Sequence, residues 1–357
     1  MNKIFAKQSI VVPIVSIFLG LMFGAIVMLA GGYNPITAYN ALVSEIFSSR
    51  YNIGETIANI TPLILTGLAV AFAFRTGLFN IGVEGQLIVG MTAATIVGIE
   101  FGYLPWFVHM PLSVIAAALA GGLWGGLAGY LKASRGVNEV ITTIMLNFIA
   151  LYLGNYLIKA FYLEPGTARS YKIEDSASLR TDWMTNLFDG ARVDLGLIIA
   201  LIAVIAFYII LWKTKQGFEL RAVGLNHHAA KNAGINVNSN VVKAMFISGM
   251  LAGLAGATRS LGLFDAQTIA AAYTGLGFDG IAVALLGGNG AIGIVLAATL
   301  FGSLKFGGGG MNYVEGVPNE IINVVIASVI FFVAANGIFK LIIKPFKAKR
   351  KQKGAAS

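Results

Sequence analysis

Ten blocks of apolar residues, most of them close to twenty residues long, leave this chain few ways to fold. A run of about 20 apolar residues matches the thickness of a bilayer's hydrocarbon core when wound as a helix. The blocks fall near 10–30, 56–74, 83–99, 110–131, 139–159, 194–212, 242–263, 276–287, 290–305 and 321–343, the eighth and ninth being unusually short. The composition agrees, with 57% of the 357 residues hydrophobic and 11% charged. The expected fold is therefore all-α, a polytopic membrane protein of about ten transmembrane helices in a single transmembrane domain spanning 1–357. Block 10–30 follows Lys3 and Lys7 in the manner of a signal peptide. It is too long for one, has no small-residue cleavage site and is followed by further spans, so it reads as a retained first helix.

The formal charge of +9 does not point to nucleic acid. Seven basic residues lie between Lys340 and Lys353, mostly in the tail 344–357, where Lys and Arg mark the cytoplasmic side. Starting the chain in the cytoplasm and alternating sides places 17 Lys and Arg inside and eight outside or at outer helix ends, which puts both termini in the cytoplasm. The two longer outer connections, Gly31 to Glu55 and Ala160 to Val193, are long enough to cap the outer mouth. Aromatic residues near the block ends, among them Tyr103, Trp106, Trp183 and Trp212, read as interface anchors.

No chemistry-bearing constellation is visible. There is no cysteine. His227 and His228 are adjacent and would point apart on a helix, so no metal site is expected. Gly288-Asn289-Gly290-Ala291-Ile292-Gly293 has a dinucleotide-binding spelling but follows an apolar helix, so it reads as a tight turn. The glycines 307–310 lack the Lys-Ser/Thr of a phosphate loop. Neither a cofactor nor a catalytic role is expected.

An internal repeat organises the blocks. Residues Thr76 to Val97 lie on Thr274 to Val295 at a constant offset without a gap, with Thr76-Gly77-Leu78 matching Thr274-Gly275-Leu276, and Gly82 and Gly90 matching Gly280 and Gly288. Gly136-Val137-Asn138-Glu139 then matches Gly316-Val317-Pro318-Asn319-Glu320, and further on Asn155 pairs with Asn336 and Lys159 with Lys340. Repeat one occupies 56–160 and repeat two 242–343, joined by a helix at 194–212 and a cytoplasmic loop at 213–241. An odd number of crossings separates corresponding helices, so the copies are inverted, a common plan for transporters whose path lies between the repeats.

The run Arg75 to Gln86 breaks the apolar pattern with Asn80, Glu84 and Gln86 at a depth where lipid tolerates none of them. Those three, with Asn147 in mid-helix and Asp279 at the second break, are the candidate path or gate residues. The bland reading gives Glu84 a first-turn role against the helix dipole and Asn147 a bond to a neighbouring helix. The Asn-Glu pairs at 138/139 and 319/320 read chiefly as helix caps. Small-residue spacing at Gly121, Gly125 and Gly129 and at Gly249 and Gly253 reads as close helix packing. In the loop 213–241, Asn226 to Ala233 suits a short helix ended by Gly234, of the kind that docks into a groove on a separate motor protein.

Phe74-Arg75-Thr76-Gly77-Leu78-Phe79-Asn80-Ile81-Gly82-Val83-Glu84-Gly85-Gln86, the loop Arg221-Ala222-Val223-Gly224-x-Asn226-x-x-Ala229-Ala230-x-x-Ala233-Gly234-Ile235 and the following Ser248-Gly249-x-x-Ala252-Gly253 resemble the permease subunit of ABC-type nucleoside importers. That group lies within the sugar and branched-chain amino acid ABC permeases, and the resemblance covers about 10–343. It implies a bacterial plasma-membrane importer subunit with a second, related permease chain, cytoplasmic ABC ATPase subunits, an external substrate-binding lipoprotein and a nucleoside substrate. It also implies that Arg221, Gly224, Asn226, Ala229, Ala230 and Gly234 belong to the ATPase-coupling element. One position departs: His227 stands where the family commonly has Pro. The competing readings are an ABC permease for a simple sugar such as ribose and an ion-driven secondary transporter.

Overall fold

The computed structural model describes residues 11–334, so the basic tail and the pairings of Asn336 and Lys340 lie outside the described residues. In chain order its helices are α1 (Val11–Ala30), α2 (Pro35–Phe47), α3 (Arg50–Arg75), α4 (Val83–Glu100), α5 (Trp106–Arg135), α6 (Glu139–Leu157) and α7 (Asp182–Leu187). There follow α8 (Gly196–Lys213), α9 (Lys215–Leu225), α10 (His227–Asn232), α11 (Val237–Ala257), α12 (Leu276–Leu286), α13 (Ala291–Glu315) and α14 (Asn319–Ala334). Wider π-helical turns extend α6 through Ile158–Tyr162 and α11 through Thr258–Leu263. Among the described residues the only extended pairing is two isolated bridges, Leu163 with Ser170 and Arg169 with Thr268. Seven helices are long and apolar enough to cross a membrane, three more are apolar but shorter, and each apolar block of the sequence falls on one of these.

The chain divides into two compact units, residues 47–303 and residues 1–46 with 304–357. In the larger, α3 is buried continuously from Ile60 to Ala73, a mostly apolar stretch without a polar face. The predicted small-residue stripes meet: Gly121 lies against Gly249 and Gly253, Gly125 against the Met245 carbonyl and Gly129 against Val242, so α5 and α11 touch backbone to backbone. Phe207 of α8 packs edge-on against Phe72 of α3 at 6.0 Å. The outward stripes of α5 (Leu119, Leu123, Leu127) and α8 (Ile198, Ile202, Ile205) are aliphatic, suited to lipid tails.

The segment 158–195 closes over one end of the larger unit. Leu179 donates to the Leu261 carbonyl at 2.9 Å and Glu174 to that of Gly98 at 2.9 Å. Arg180 donates to the carbonyls of Gly262 and Leu263 and pairs with Asp265 at 2.7 Å. Near the start of α3, buried Glu55 accepts both the backbone N–H and the guanidinium of Arg192. The same segment thus binds the beginning of α3 and the end of α11, which therefore run antiparallel.

In the smaller unit, Gly20 and Gly24 of α1 lie against Val329 and Val325 of α14, and the Tyr39 hydroxyl donates to the Leu21 carbonyl at 2.6 Å. The ninth block, expected to be short at 290–305, is instead the 25-residue helix α13. Its glycines do not break it because they are packing positions: Gly307 sits against Leu42 and Gly310 against the Ala41 carbonyl of α2.

Candidate functional site

The first break forms because α3 stops at a left-handed glycine. Gly77 has φ +74°, its N–H reaches the Phe74 carbonyl and the Leu78 N–H reaches that of Ala73, the paired bonds of a Schellman end. The chain then does not leave the protein. Asn80 Nδ2 donates to Ser248 Oγ at 2.8 Å, and Ser248 Oγ donates to the Ala69 carbonyl at 2.6 Å. Asn80 is thus level with Ala69, roughly 9 Å back up α3 from its end. Residues 78–82 run back into the interior, and α4 starts there.

Every polar group on this stretch is satisfied. Asn80 Oδ1 accepts the Gly82 N–H at 2.9 Å and the Gln86 amide at 3.1 Å, and Asn80 Nδ2 also donates to Gln86 Oε1 at 2.9 Å. From α6, Asn147 accepts the Gly85 N–H at 2.8 Å and donates to the Ile81 carbonyl at 3.1 Å. Asn80, Glu84, Gln86 and Asn147 are all buried, none more than 2% exposed. The structure brings these four together as an internal polar brace.

Glu84 reaches across to the second break. Its Oε1 accepts the Thr274 hydroxyl at 2.8 Å and the Gly275 N–H at 2.9 Å, and its Oε2 accepts the Gly277 N–H at 2.6 Å. One carboxylate in the first turn of α4 therefore caps the start of α12, where free N–H groups and the helix dipole favour negative charge. The other end of α12 is held by the other flank of the same run. Arg75 donates from Nε to the Asn289 carbonyl at 2.9 Å and from Nη2 to that of Gly288 at 3.2 Å, a cation on a helix C-terminus. Between these clamps α12 lies along α3, with Gly280 against Thr66 and Val283 against Gly67. Asp279, the fifth candidate, lies half-buried in the first turn of α12, its N–H closing on the Gly275 carbonyl at 2.8 Å.

The second break, 264–275, is built differently. Asn155 of α6 holds Ala270 by both its N–H and its carbonyl, and Gln267 Nε2 donates to Thr92 Oγ1 at 3.0 Å. Yet Phe264, Thr268, Ala271, Ala272 and Thr274 are exposed. Gln267 Oε1, the Tyr273 hydroxyl and Nε of nearby Arg259 are buried without a partner. Tyr273 sits between two rings, 5.4 Å from Phe148 and 5.8 Å from Phe278.

The coupling candidates form the far end of the larger unit. α10 is the short helix expected from the sequence: Asn226 Oδ1 accepts the Ala229 N–H at 3.0 Å, Ala230 is buried, and Gly234 ends the helix at φ +81°. Ahead of it α9, not anticipated in the sequence, carries Gly224 onto the backbone of Arg75, Thr76 and Gly77. Trp212 does more than anchor an interface: it stacks with Arg221 at 4.2 Å and lies 5.5 Å from Arg75. Phe218 and Leu225, 61% and 88% exposed, flank a groove of about 390 Å³ beside Ala229 and Ala233. Through Gly224, α9 therefore rests directly on the first break. Among the described residues no group of three His, Cys, Asp or Glu side chains is placed to hold a metal.

The profile of the branched-chain amino acid transport system permease component matches residues 52–334, both breaks and α9–α10 included. The chain belongs to that permease family. The permease is 51% identical over 348 residues to the guanosine ABC transporter permease protein NupP of Bacillus subtilis, covering 98% of each chain. It is 41% identical to the nucleoside ABC transporter permease protein NupB of Lactococcus lactis, over 96% of this chain and 95% of that one. It is 34% identical to the glucose ABC transporter permease protein TsgB13 of Haloferax volcanii, over 92% and 88%. A second permease of each of the first two organisms, NupQ and NupC, is 29% identical over 74% and 73% of this chain. No solved structure matches it. Family membership makes it a multi-pass membrane transport component rather than a catalytic subunit.

Proposed function

We propose that this permease is the membrane subunit of an ATP-driven ABC importer that takes up nucleosides. The observation that carries the reading is 51% identity with a guanosine permease along 98% of both chains. The 41% identity with a nucleoside permease supports it. The protein works with a related but distinct permease chain, as the NupP/NupQ and NupB/NupC pairs suggest, and with a cytoplasmic ATPase and an external binding lipoprotein. Both termini and the α9–α10 end face the cytoplasm, and the chain makes ten crossings.

The inverted repeat supports alternating access about the two breaks. Thr76-Gly77 and Thr274-Gly275 both place glycine at positive φ, +74° and +82°, and the antiparallel course of α3 and α11 is what inversion requires. In this reading Asn80, Glu84, Gln86 and Asn147, with Asp279, set the gate where the two breaks meet. The ATPase pushes on α10, α9 moves against the Arg75–Gly77 turn through Gly224, and Arg75 carries the displacement to α12.

The sugar reading has one observation in its favour, the 34% identity with a glucose permease. The reconstituted complex decides between them. ATP-dependent accumulation of guanosine or uridine, with no accumulation of ribose or glucose, is the expected outcome. The reverse pattern overturns the nucleoside assignment, and uptake by this chain alone without an ATPase overturns the ABC one.

A further inference from the structure

A cation is out of place beside the second break. Arg259 lies on the π-helical turn Thr258–Leu263 that ends α11, a kind of insertion that occurs frequently at functional sites. It has no hydrogen-bond or ion-pair partner among the described side chains, and its Nε is buried and unpaired. The Phe264 ring lies 4.9 Å from the guanidinium carbon. The carboxylate that acts on it is Glu84, whose oxygens are already taken by Thr274, Gly275 and Gly277. An ionised residue at membrane depth without a partner is costly and marks a functional position by default.

The surroundings point to water and cargo rather than lipid. The break descends from Leu263 to Thr274, which touches Glu84, and α4 climbs roughly 24 Å beyond Glu84 to Glu100. Below the pairing of Thr268 and Ile269 with Arg169 and Ala168 of the covering segment, Ala271, Ala272 and Thr274 thus expose irregular backbone at hydrocarbon depth. Lipid does not tolerate such backbone, which survives only against protein or along a watery cavity. The break also offers an unpaired acceptor, Gln267 Oε1, on a side chain 2% exposed.

We propose that Arg259 is a specificity-determining residue of the translocation path, its guanidinium hydrogen-bonding the carbonyl and ring-nitrogen acceptors of a 6-oxopurine base. This rests on the nucleoside reading above. The chemistry fits because a guanidinium presents parallel N–H groups that match the O6 and N7 of guanine or hypoxanthine bidentately. The exposed Phe264 ring supplies an aromatic face beside it. Adenine, with an amino group at position 6, offers the fork one acceptor instead of two.

The test uses the whole reconstituted complex, with guanosine, inosine and adenosine competing for ATP-dependent uptake. Arg259→Gln is expected to lower guanosine and inosine transport relative to adenosine by roughly 10- to 100-fold, the discrimination a bidentate contact provides. Arg259→Lys, which keeps the charge but not the fork, is expected to fall between. Because the chain has no cysteine, Arg259→Cys gives a single thiol whose modification by a water-soluble thiosulfonate is expected to be slowed by guanosine and not by ribose. Equal loss for all three nucleosides, or a thiol unreactive from water or indifferent to guanosine, overturns the proposal and leaves Arg259 as a countercharge to Glu84. If the wild-type complex moves no nucleoside, it is the nucleoside reading that fails.

Discussion

The two breaks share Thr-Gly-Leu with a positive-φ glycine, at the start of the first and at the end of the second, but they are opposite kinds of structure. The first is sealed: Asn80 and Gln86 bond each other, Asn147 takes the Gly85 N–H and the Ile81 carbonyl, and Glu84 is 0% exposed. The second is open along Thr268 to Thr274 and keeps unpaired polar atoms on Gln267 and Tyr273. The first touches α9, through Gly224. Under the function proposed above, the difference is a division of labour between the breaks, the first receiving the motor's push and the second meeting the cargo. Glu84 and Arg75 join them, one at each end of α12.

The strongest test of that join is Glu84→Ala. It strands the Gly275 and Gly277 N–H groups and the Thr274 hydroxyl, at about 1–3 kcal/mol for each buried unsatisfied donor. Both the yield of folded complex and its transport are expected to collapse. Glu84→Gln keeps a carbonyl acceptor but turns an amide toward one of these donors, so folding is expected to survive with transport at least about tenfold lower. Unchanged uptake and coupling in Glu84→Gln would reduce the residue to an ordinary first-turn carboxylate.

The matching test on the open break separates fold from flow. Ala272 is exposed, so Ala272→Trp is expected to leave thermal stability within the usual surface range of about 0.5 kcal/mol. A large ring on the path wall is expected to abolish uptake all the same. Normal transport through that variant, measured in the same vesicles, would place the path elsewhere.

What the sequence made legible was what local chemistry decides. The apolar blocks became helices because their length and composition leave no alternative in a bilayer, and α10 was readable because Asn226 and Gly234 punctuate it at both ends. The Gly121 and Gly249 stripes announced a close approach without naming each other as partners. By contrast α9 carries no apolar periodicity and is placed by contacts with the end of α8 and with Arg75–Gly77, so its sequence resembled a solvated loop. Glu84 was singled out for its depth, but its role was hidden, because its acceptor bonds go to residues 190 positions or more away. No local signal marks Arg259 either, since its strangeness lies in what fails to surround it.

A smaller effect is expected where the motor's push reaches the sealed break. Gly224→Ala would set a methyl against the Arg75 carbonyl and 2.8 Å from the Thr76 carbonyl carbon. Overpacking of this kind costs about 1–3 kcal/mol. Backbone on both sides leaves nothing flexible to yield, so α9 must shift off the turn. ATP hydrolysis is expected to continue while nucleoside moved per ATP falls several-fold, and equal loss of both would deny the contact a coupling role.

The smallest change acts one element further out. Asn226 starts α10 by accepting the Ala229 N–H, and losing such a cap costs about 1 kcal/mol. α10 has only six residues and ends on Gly234, so it has little else of its own to hold its first turn. Asn226→Ala is therefore expected to lower transport per ATP about two- to fivefold, by depopulating the docking-competent helix rather than by removing a contact. Asn226→Asp, an equally good cap, is expected to restore it. Since α10 packs on α9, and α9 rests on the first break, the thiol of Arg259→Cys should react at the same rate, with ATPase idle, whether or not Asn226 is changed. A rate that shifts with Asn226 would mean the two breaks move as one body, and the division between them would be lost.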